Sequence, residues 1–238
     1  MKKIVLFIKS LILRALRAGF RKKIFSNSKE YRSASDNGRY GAAVSNALKN
    51  QNAFKNFKRN YSYREILEHV SKDQGLEYLK ILQKRNDGLL NKAKKTVLVK
   101  DYVGNPIKFN YPDFSLKLSP TTLRYVKVAS DLRILFGENL GNVAEIGCGY
   151  GGQALINDQL LNVTKAKLFD LPFVNKLINR YLNTQLFNGS FRTTTLNEEI
   201  NSKYDLVISN YAFSELPKKL QISYIKKVTS QSEKGYLT

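Results

Sequence analysis

The sequence predicts an α/β fold with a doubly wound sheet in its second half, and three observations carry that prediction. Val143-Ala144-Glu145-Ile146 is a short apolar strand that runs straight into Gly147-Cys148-Gly149-Tyr150-Gly151-Gly152 and then into a helix signal at Ala154, Leu155, Ile156, Leu160 and Leu161. Lys167-Leu168-Phe169-Asp170 is a second apolar run, closed by an acid 23 residues after Gly147. Tyr204-Asp205-Leu206-Val207-Ile208-Ser209-Asn210 is a third, apolar in its middle and polar at its end. Short apolar runs separated by helix-length segments read as the strands of βαβ units, whose parallel sheet is covered on both faces.

Upstream, the chain reads as helical and basic. Residues 1–25 hold eight Lys/Arg and no acid. As a helix they place Ile4, Ile8, Leu11, Ile12 and Ala15 on one face and Lys3, Ser10, Arg14, Arg17 and Arg21 on the other. Lys9, Arg14 and Arg17 interrupt the apolar run before it reaches the ~18–20 residues of a membrane span. A secretory signal would need an unbroken apolar stretch and a small-x-small cleavage site, and neither is clear. Such a basic amphipathic helix suits an anionic bilayer surface, or it packs its apolar stripe on the rest of the protein. Residues 26–62 read as loop and short helices in which Tyr31, Tyr40, Phe54, Phe57 and Tyr61 interleave with basic residues. That pattern resembles a single-strand nucleic-acid platform, against the plainer reading of aromatics anchoring an irregular segment.

Residues 63–95 read as helical, with Ile66, Leu67, Val70, Leu76, Leu79, Ile81 and Leu82 near helical spacing and Gly75 and Gly88 as punctuation. Thr96–Val99 reads as a short strand, and residues 104–120, with Gly104, Pro106, Pro112 and Pro120, as loop and turn. A helix follows over residues 121–136, its end flanked by Gly137 and Gly141. After the second strand, a helix is expected at 173–184 and a short apolar piece near 191–196. His69, in the expected helix, reads as structural or solvated, and Cys148 as a small buried filler with no partner base.

Composition narrows the function. The chain has 238 residues, 42% of them apolar, enough for a sizeable core. One cysteine excludes a disulfide scaffold, and one Cys with one His cannot complete a thiol zinc shell, so no metal ligands are assigned. The net charge of +21 is uneven: residues 1–100 carry 24 basic and 7 acidic side chains, residues 101–238 carry 16 and 12. Cationic excess points to nucleic acid, an anionic membrane or anionic ligands, and it sits outside the α/β half.

A strand, glycine loop and helix bring backbone amides close to a ligand, and glycine leaves room where a Cβ would clash. Asp170, at the carboxyl end of the neighbouring strand, can accept hydrogen bonds from both hydroxyls of a ribose, or can cap the helix ahead of Pro172. Gly147, Gly149 and Gly152 satisfy the dinucleotide spacing G-x-G-x-x-G. Glu145, Gly147, Gly149 and Gly151 satisfy the acid-x-G-x-G-x-G spacing of enzymes that use S-adenosyl-L-methionine. The glycines alone are ambiguous; the acid two residues before them favours the methyl donor.

From about residue 120 to 238 the chain resembles the class I S-adenosylmethionine-dependent methyltransferases. More narrowly it resembles the sugar O-methyltransferase family of bacterial surface-polysaccharide loci. The pieces that carry this are SPTTLRYVKVASDLRILFG (Ser119–Gly137), EIGCGYGGQA (Glu145–Ala154), FDLP (Phe169–Pro172), SNYAFSEL (Ser209–Leu216) and the closing GYLT. Asn46–Leu48 and Ile66–Ser71 are similar to that family's N-terminal region. The resemblance implies a Rossmann-like methyltransferase sheet of order 3-2-1-4-5 in residues 119–238, behind a helical region at 26–118 and the basic helix at 1–25. It implies that Glu145 and the loop, with Gly147, Cys148, Gly149, Tyr150 and Gly151, meet the methionine part and ribose. Asp170 would hold the ribose hydroxyls, and Leu171 would flank the adenine. Asn210 and Tyr211 would line the methyl-transfer face. Glu215, otherwise a surface or helix-start acid, would polarise the acceptor hydroxyl or position the substrate. The implied partner is a sugar or glycan acceptor, and a cytoplasmic enzyme resting on the inner membrane is consistent with the basic helix at 1–25.

Three rivals stand beside this reading. Amine methylation of nucleic acid usually shows Asn/Asp-Pro-Pro-aromatic after the fourth strand, and Asn210-Tyr211-Ala212-Phe213 lacks both prolines. A dehydrogenase is disfavoured by Glu145. The third is an inactive, C-terminally truncated remnant: the strands fall near 143, 167, 191, 205 and 235, and the resemblance stops at Thr238 inside the fifth, with the last strands of the fold missing and an exposed sheet edge expected.

Overall fold

A computed structural model describes residues 38–96, 101–198 and 202–238. The expected basic helix at 1–25, Tyr31, and residues 97–99 of the expected strand lie outside the described residues.

Five helices open the described chain: α1 (Arg39–Lys49), α2 (Gln51–Lys55), α3 (Tyr61–Leu67), α4 (Lys72–Arg85) and α5 (Leu89–Thr96). Helix α1 buries Tyr40, Val44 and Ala47, one stripe at helical spacing. The helical run expected over 63–95 is broken into three, because local signals stop and restart it. Ser71 and Gln74 form a reciprocal cap at the start of α4, and Asn86 turns left-handed at φ 47° to end it. His69 falls in the connector before that cap, exposed and outside any helix. Gly75 does not punctuate. It lies inside α4, where a Cβ would stand 2.2 Å from the Tyr111 hydroxyl. Thr96 ends α5 instead of starting a strand.

The expected loop at 104–120 contains an antiparallel ribbon, β1 (Phe109–Tyr111) against β2 (Leu116–Leu118). Strands of three residues around Pro112 are too short to leave an alternation in the sequence. Helix α6 (Pro120–Phe136) starts on a proline at its first position and ends on Gly137 at φ 85°. Gly141 belongs to the next strand, not to the helix end.

That strand, β3 (Asn139–Ile146), is followed by α7 (Gly152–Leu160), β4 (Asn162–Phe169), α8 (Pro172–Leu182), β5 (Ser190–Thr194), β6 (Tyr204–Ser209), α9 (Lys218–Lys227) and β7 (Ser232–Leu237). The sheet is parallel throughout and runs β5-β4-β3-β6-β7. Strand β3 is central, and the winding reverses at the boundary between β3 and β6, the place where open α/β sheets leave a crevice at their carboxyl ends. Asp205 helps set the β3–β6 register by accepting a 2.7 Å bond from the Asn142 amide.

One apolar cluster runs from Tyr40, Phe57 and Tyr63 through Leu123 and Leu132 to Leu168, Leu177 and Ile208, so the described helices and the sheet share a core. Arg180 of α8 fastens α1, donating to the carbonyls of Ala47 and Leu48 at 2.7 and 2.8 Å while lying 4.2 Å from the Phe54 ring centroid. Asp131 joins three layers by accepting from Arg85 (2.6 Å), Lys127 (2.7 Å) and the Tyr236 hydroxyl of β7 (2.7 Å). Burial pushes that carboxyl up, but these three bonds outweigh it and hold it below its usual range.

Candidate functional site

The crevice is built at the carboxyl ends of β3, β4 and β6. Chain direction turns sharply after Ile146 because Gly147 and Gly149 are left-handed, at φ 74° and 59°. Space is as restrictive as conformation there. A Cβ on Gly147 would stand 2.2 Å from the Ala212 Cβ, and one on Gly149 would stand 3.0 Å from both Leu67 methyls. The Gly147 amide donates to the Phe169 carbonyl at 2.9 Å, tying the loop to β4. Ser209 does the same for β6: its hydroxyl donates to the Ile146 carbonyl at 2.8 Å and accepts from the Phe213 amide at 3.0 Å.

Two carboxylates face this loop. Glu145 is 3% exposed, one residue from the end of β3. Burial, reinforced by the charge of Asp170, raises its carboxyl to about 8. Asp170 follows β4 and accepts from the Gly149 amide at 3.0 Å and the Leu171 amide at 2.8 Å. Burial lifts it to about 6 even though those amide bonds, with one from Cys148, pull it down. Among the described residues neither carboxylate takes part in an ion pair.

The other expected site residues divide. Cys148 and Tyr150 are turned into the core. The Cys148 thiol donates to the Glu145 carbonyl at 3.1 Å, and the Tyr150 ring packs 4.8 Å from Tyr181 and 5.6 Å from Phe57. Contacts from these two to a ligand therefore fall to their backbone. Gly151 makes the turn into α7, its amide donating to the Cys148 carbonyl at 2.9 Å. Leu171 is half-exposed beside Asp170, where it can cover a planar ring. Asn210 donates to Gln153 at 3.1 Å, and its own buried Oδ1 has no partner. Tyr211 stands half-exposed at φ 59°, a conformation that is uncommon for a side chain other than glycine and clusters at functional sites. Glu215 ends the short 3-10 turn Phe213–Glu215 and is exposed.

The helices before residue 119 supply residues that motif reading does not assign. Leu67 of α3 roofs Gly149. Tyr40 of α1 lies 6.0 Å from the Phe173 ring, and burial followed by the Asp170 charge pushes its hydroxyl well up. Of the four described aromatics in that segment, Tyr40, Phe54 and Phe57 are buried, as the anchoring reading expects, and Tyr61 is exposed.

The donor set suits S-adenosyl-L-methionine. Two carboxylates without cationic partners flank a loop with no room for a Cβ, and a sulfonium and an ammonium would supply the missing positive charge. A pyrophosphate would meet the same two carboxylates as a repelled anion.

No protein-family model matches the chain, and no curated protein does. Solved structures do show likeness. A proposed RNA methyltransferase from Pyrococcus horikoshii is 21% identical, with a TM-score of 0.40, over 50% of this chain and 59% of its own. A proposed S-adenosyl-L-methionine-dependent methyltransferase from Methanococcus maripaludis is 15% identical, with a TM-score of 0.41, over 46% and 52%. Magnesium protoporphyrin IX methyltransferase from Synechocystis PCC 6803, solved with bound SAM, is 19% identical, with a TM-score of 0.39, over 47% and 54%. The matched region thus spans between 52% and 59% of these three chains. At such overlap, the chemistry assigned to this chain rests on its own residues.

Proposed function

We propose that the chain transfers a methyl group from S-adenosyl-L-methionine to a hydroxyl of a sugar or glycan. The observation that carries the donor is the Glu145–Asp170 pair around Gly147 and Gly149. When bound, S-adenosyl-L-methionine supplies a methyl group on a positively charged sulfur, already activated for displacement. The protein's work is then alignment and removal of one proton. Glu145 and the loop amides hold the cationic end, Asp170 holds the ribose diol, and Leu171 covers the adenine. Asn210 and Tyr211 face the transferring methyl, with Glu215 close in sequence on the acceptor side.

The sugar acceptor rests on the resemblance of SNYAFSEL and FDLP to the sugar O-methyltransferases, and on the lack of the two prolines that amine methylation of bases uses. The cytoplasmic face of an anionic inner membrane, reached through residues 1–25, is the proposed place of work. No helix among the described residues is long and apolar enough to cross a membrane.

Calorimetric titration with S-adenosylmethionine, with NAD in parallel, tests the donor. Micromolar binding of the methyl donor that is lost in Asp170→Ala is expected. Binding of NAD alone would overturn the assignment.

A further inference from the structure

Among the described residues, Arg124 Nε, Glu68 Oε1 and Asn210 Oδ1 are buried polar atoms without a hydrogen-bond partner. Arg124, on α6, is 8% exposed, and its guanidinium lies 5.4 Å from the ring centroids of both Tyr125 and Tyr211. Tyr211 follows Asn210, at the end of β6, so Arg124 reaches the face where the methyl would move. Glu68 follows Leu67, the residue that roofs Gly149. Its carboxyl is bonded by Thr121, one helical turn before Arg124, and feels the Arg124 charge. Among the described residues neither Glu68 nor Arg124 forms an ion pair. A buried guanidinium and a buried carboxylate oxygen with bonding capacity to spare, beside a half-exposed tyrosine ring, are what a pyranose needs. The ring face takes its apolar side, and the polar atoms take its hydroxyls.

We propose that Glu68, Arg124 and Tyr211 form the acceptor subsite, with Tyr211 stacking on the sugar, Arg124 donating to its hydroxyls, and Glu68 accepting the proton of the hydroxyl that is methylated. This rests on the methyl-transfer function above. The hydroxyl proton passes to Glu68 Oε1. The oxygen's electron pair forms the new bond to the methyl carbon, and the carbon–sulfur pair returns to sulfur, leaving a neutral thioether. The base is set for neutral pH: burial pushes the Glu68 carboxyl to about 7, with Asp101 adding to the rise and Lys58, Thr121 and Arg124 opposing it. Glu215, exposed to solvent, lacks that tuning environment.

The test is saturation-transfer NMR on the full chain with methyl α-D-glucopyranoside, galactopyranoside and mannopyranoside, in saturating S-adenosylhomocysteine. Calorimetry with S-adenosylhomocysteine is run on the same samples. At least one sugar should receive saturation from the wild-type chain, reduced fivefold or more in Glu68→Gln and Arg124→Met, with S-adenosylhomocysteine affinity within threefold of wild type. Arg124→Met alters a buried position, so Tyr211→Ala, on a half-exposed ring, serves as the second variant and should lose saturation likewise. For a sugar that binds, transfer of labelled methyl should rise as pH climbs through about 7, and that rise should vanish in Glu68→Gln. Saturation transfer equal in all variants, or none to the wild type, overturns the subsite. Loss of transfer in Glu215→Gln with full transfer in Glu68→Gln assigns the base to Glu215 instead. Failure of S-adenosylhomocysteine to bind the wild type overturns the donor reading, and the subsite with it.

Discussion

Replacing Glu145 by glutamine should stabilise the ligand-free chain in a strongly pH-dependent way. Glu145 has an ordinary value of 4.5 when unfolded and about 8 when folded. Between those values the folded state binds the extra proton, so stability is fully present below 4.5 and is lost as pH rises towards 8. At 1.36 kcal/mol per pH unit, holding this carboxylate charged at pH 8 costs the native state about 4 kcal/mol, and at pH 5 less than about 1. A glutamine at this position escapes that cost at every pH, whatever constant amount it loses through its own burial. The stability difference between Glu145→Gln and wild type should therefore widen by about 3 kcal/mol from pH 5 to pH 8 in urea unfolding. For a chain of this size that corresponds to roughly 6–12 °C in Tm. S-adenosylmethionine should reverse the order, stabilising wild type more than the variant at pH 8, because the cation satisfies the carboxylate. A difference that stays flat within about 1 kcal/mol across that range would refute the claim that Glu145 is a buried, unneutralised acid.

Other expectations follow from the same geometry. Gly147→Ala places a methyl group at φ 74° and 2.2 Å from the Ala212 Cβ, and should cost about 2–4 kcal/mol in urea unfolding. Arg180→Met removes two charge-assisted bonds to α1 and should cost about 2–3 kcal/mol, with hydrogen exchange at Ala42 and Ala43 quickening more than in β3. The intact chain should sediment with anionic phospholipid vesicles at low salt and be released by added salt, whereas a 26–238 chain should not sediment; equal behaviour of both would remove the membrane role.

The parallel sheet and the glycine turn were legible because their signals are local. Val143–Ile146, Gly147–Gly152 and Asp170 lie close in sequence, and each residue type is forced by backbone geometry. The roof was not legible, since Leu67 meets Gly149 across 82 positions and nothing in the pattern of α3 marks that contact. The helical run at 63–95 hid its breaks because Ser71, Gln74 and Asn86 act through caps that apolar periodicity does not register. Gly75 misled for the opposite reason: a glycine needed for the Tyr111 hydroxyl to approach looks the same as one that ends a helix. Tyr150 lies within the motif, yet its side-chain direction is set by packing against Phe57 and Tyr181, which the motif does not encode.

The Leu67 side chain over Gly149 also bears on time. A ligand seated against Gly149 would lie beside the Leu67 methyls, at the last residue of α3. Its arrival and departure would then be coupled to small shifts of that helix end, a slower class of motion than rotation of an exposed side chain.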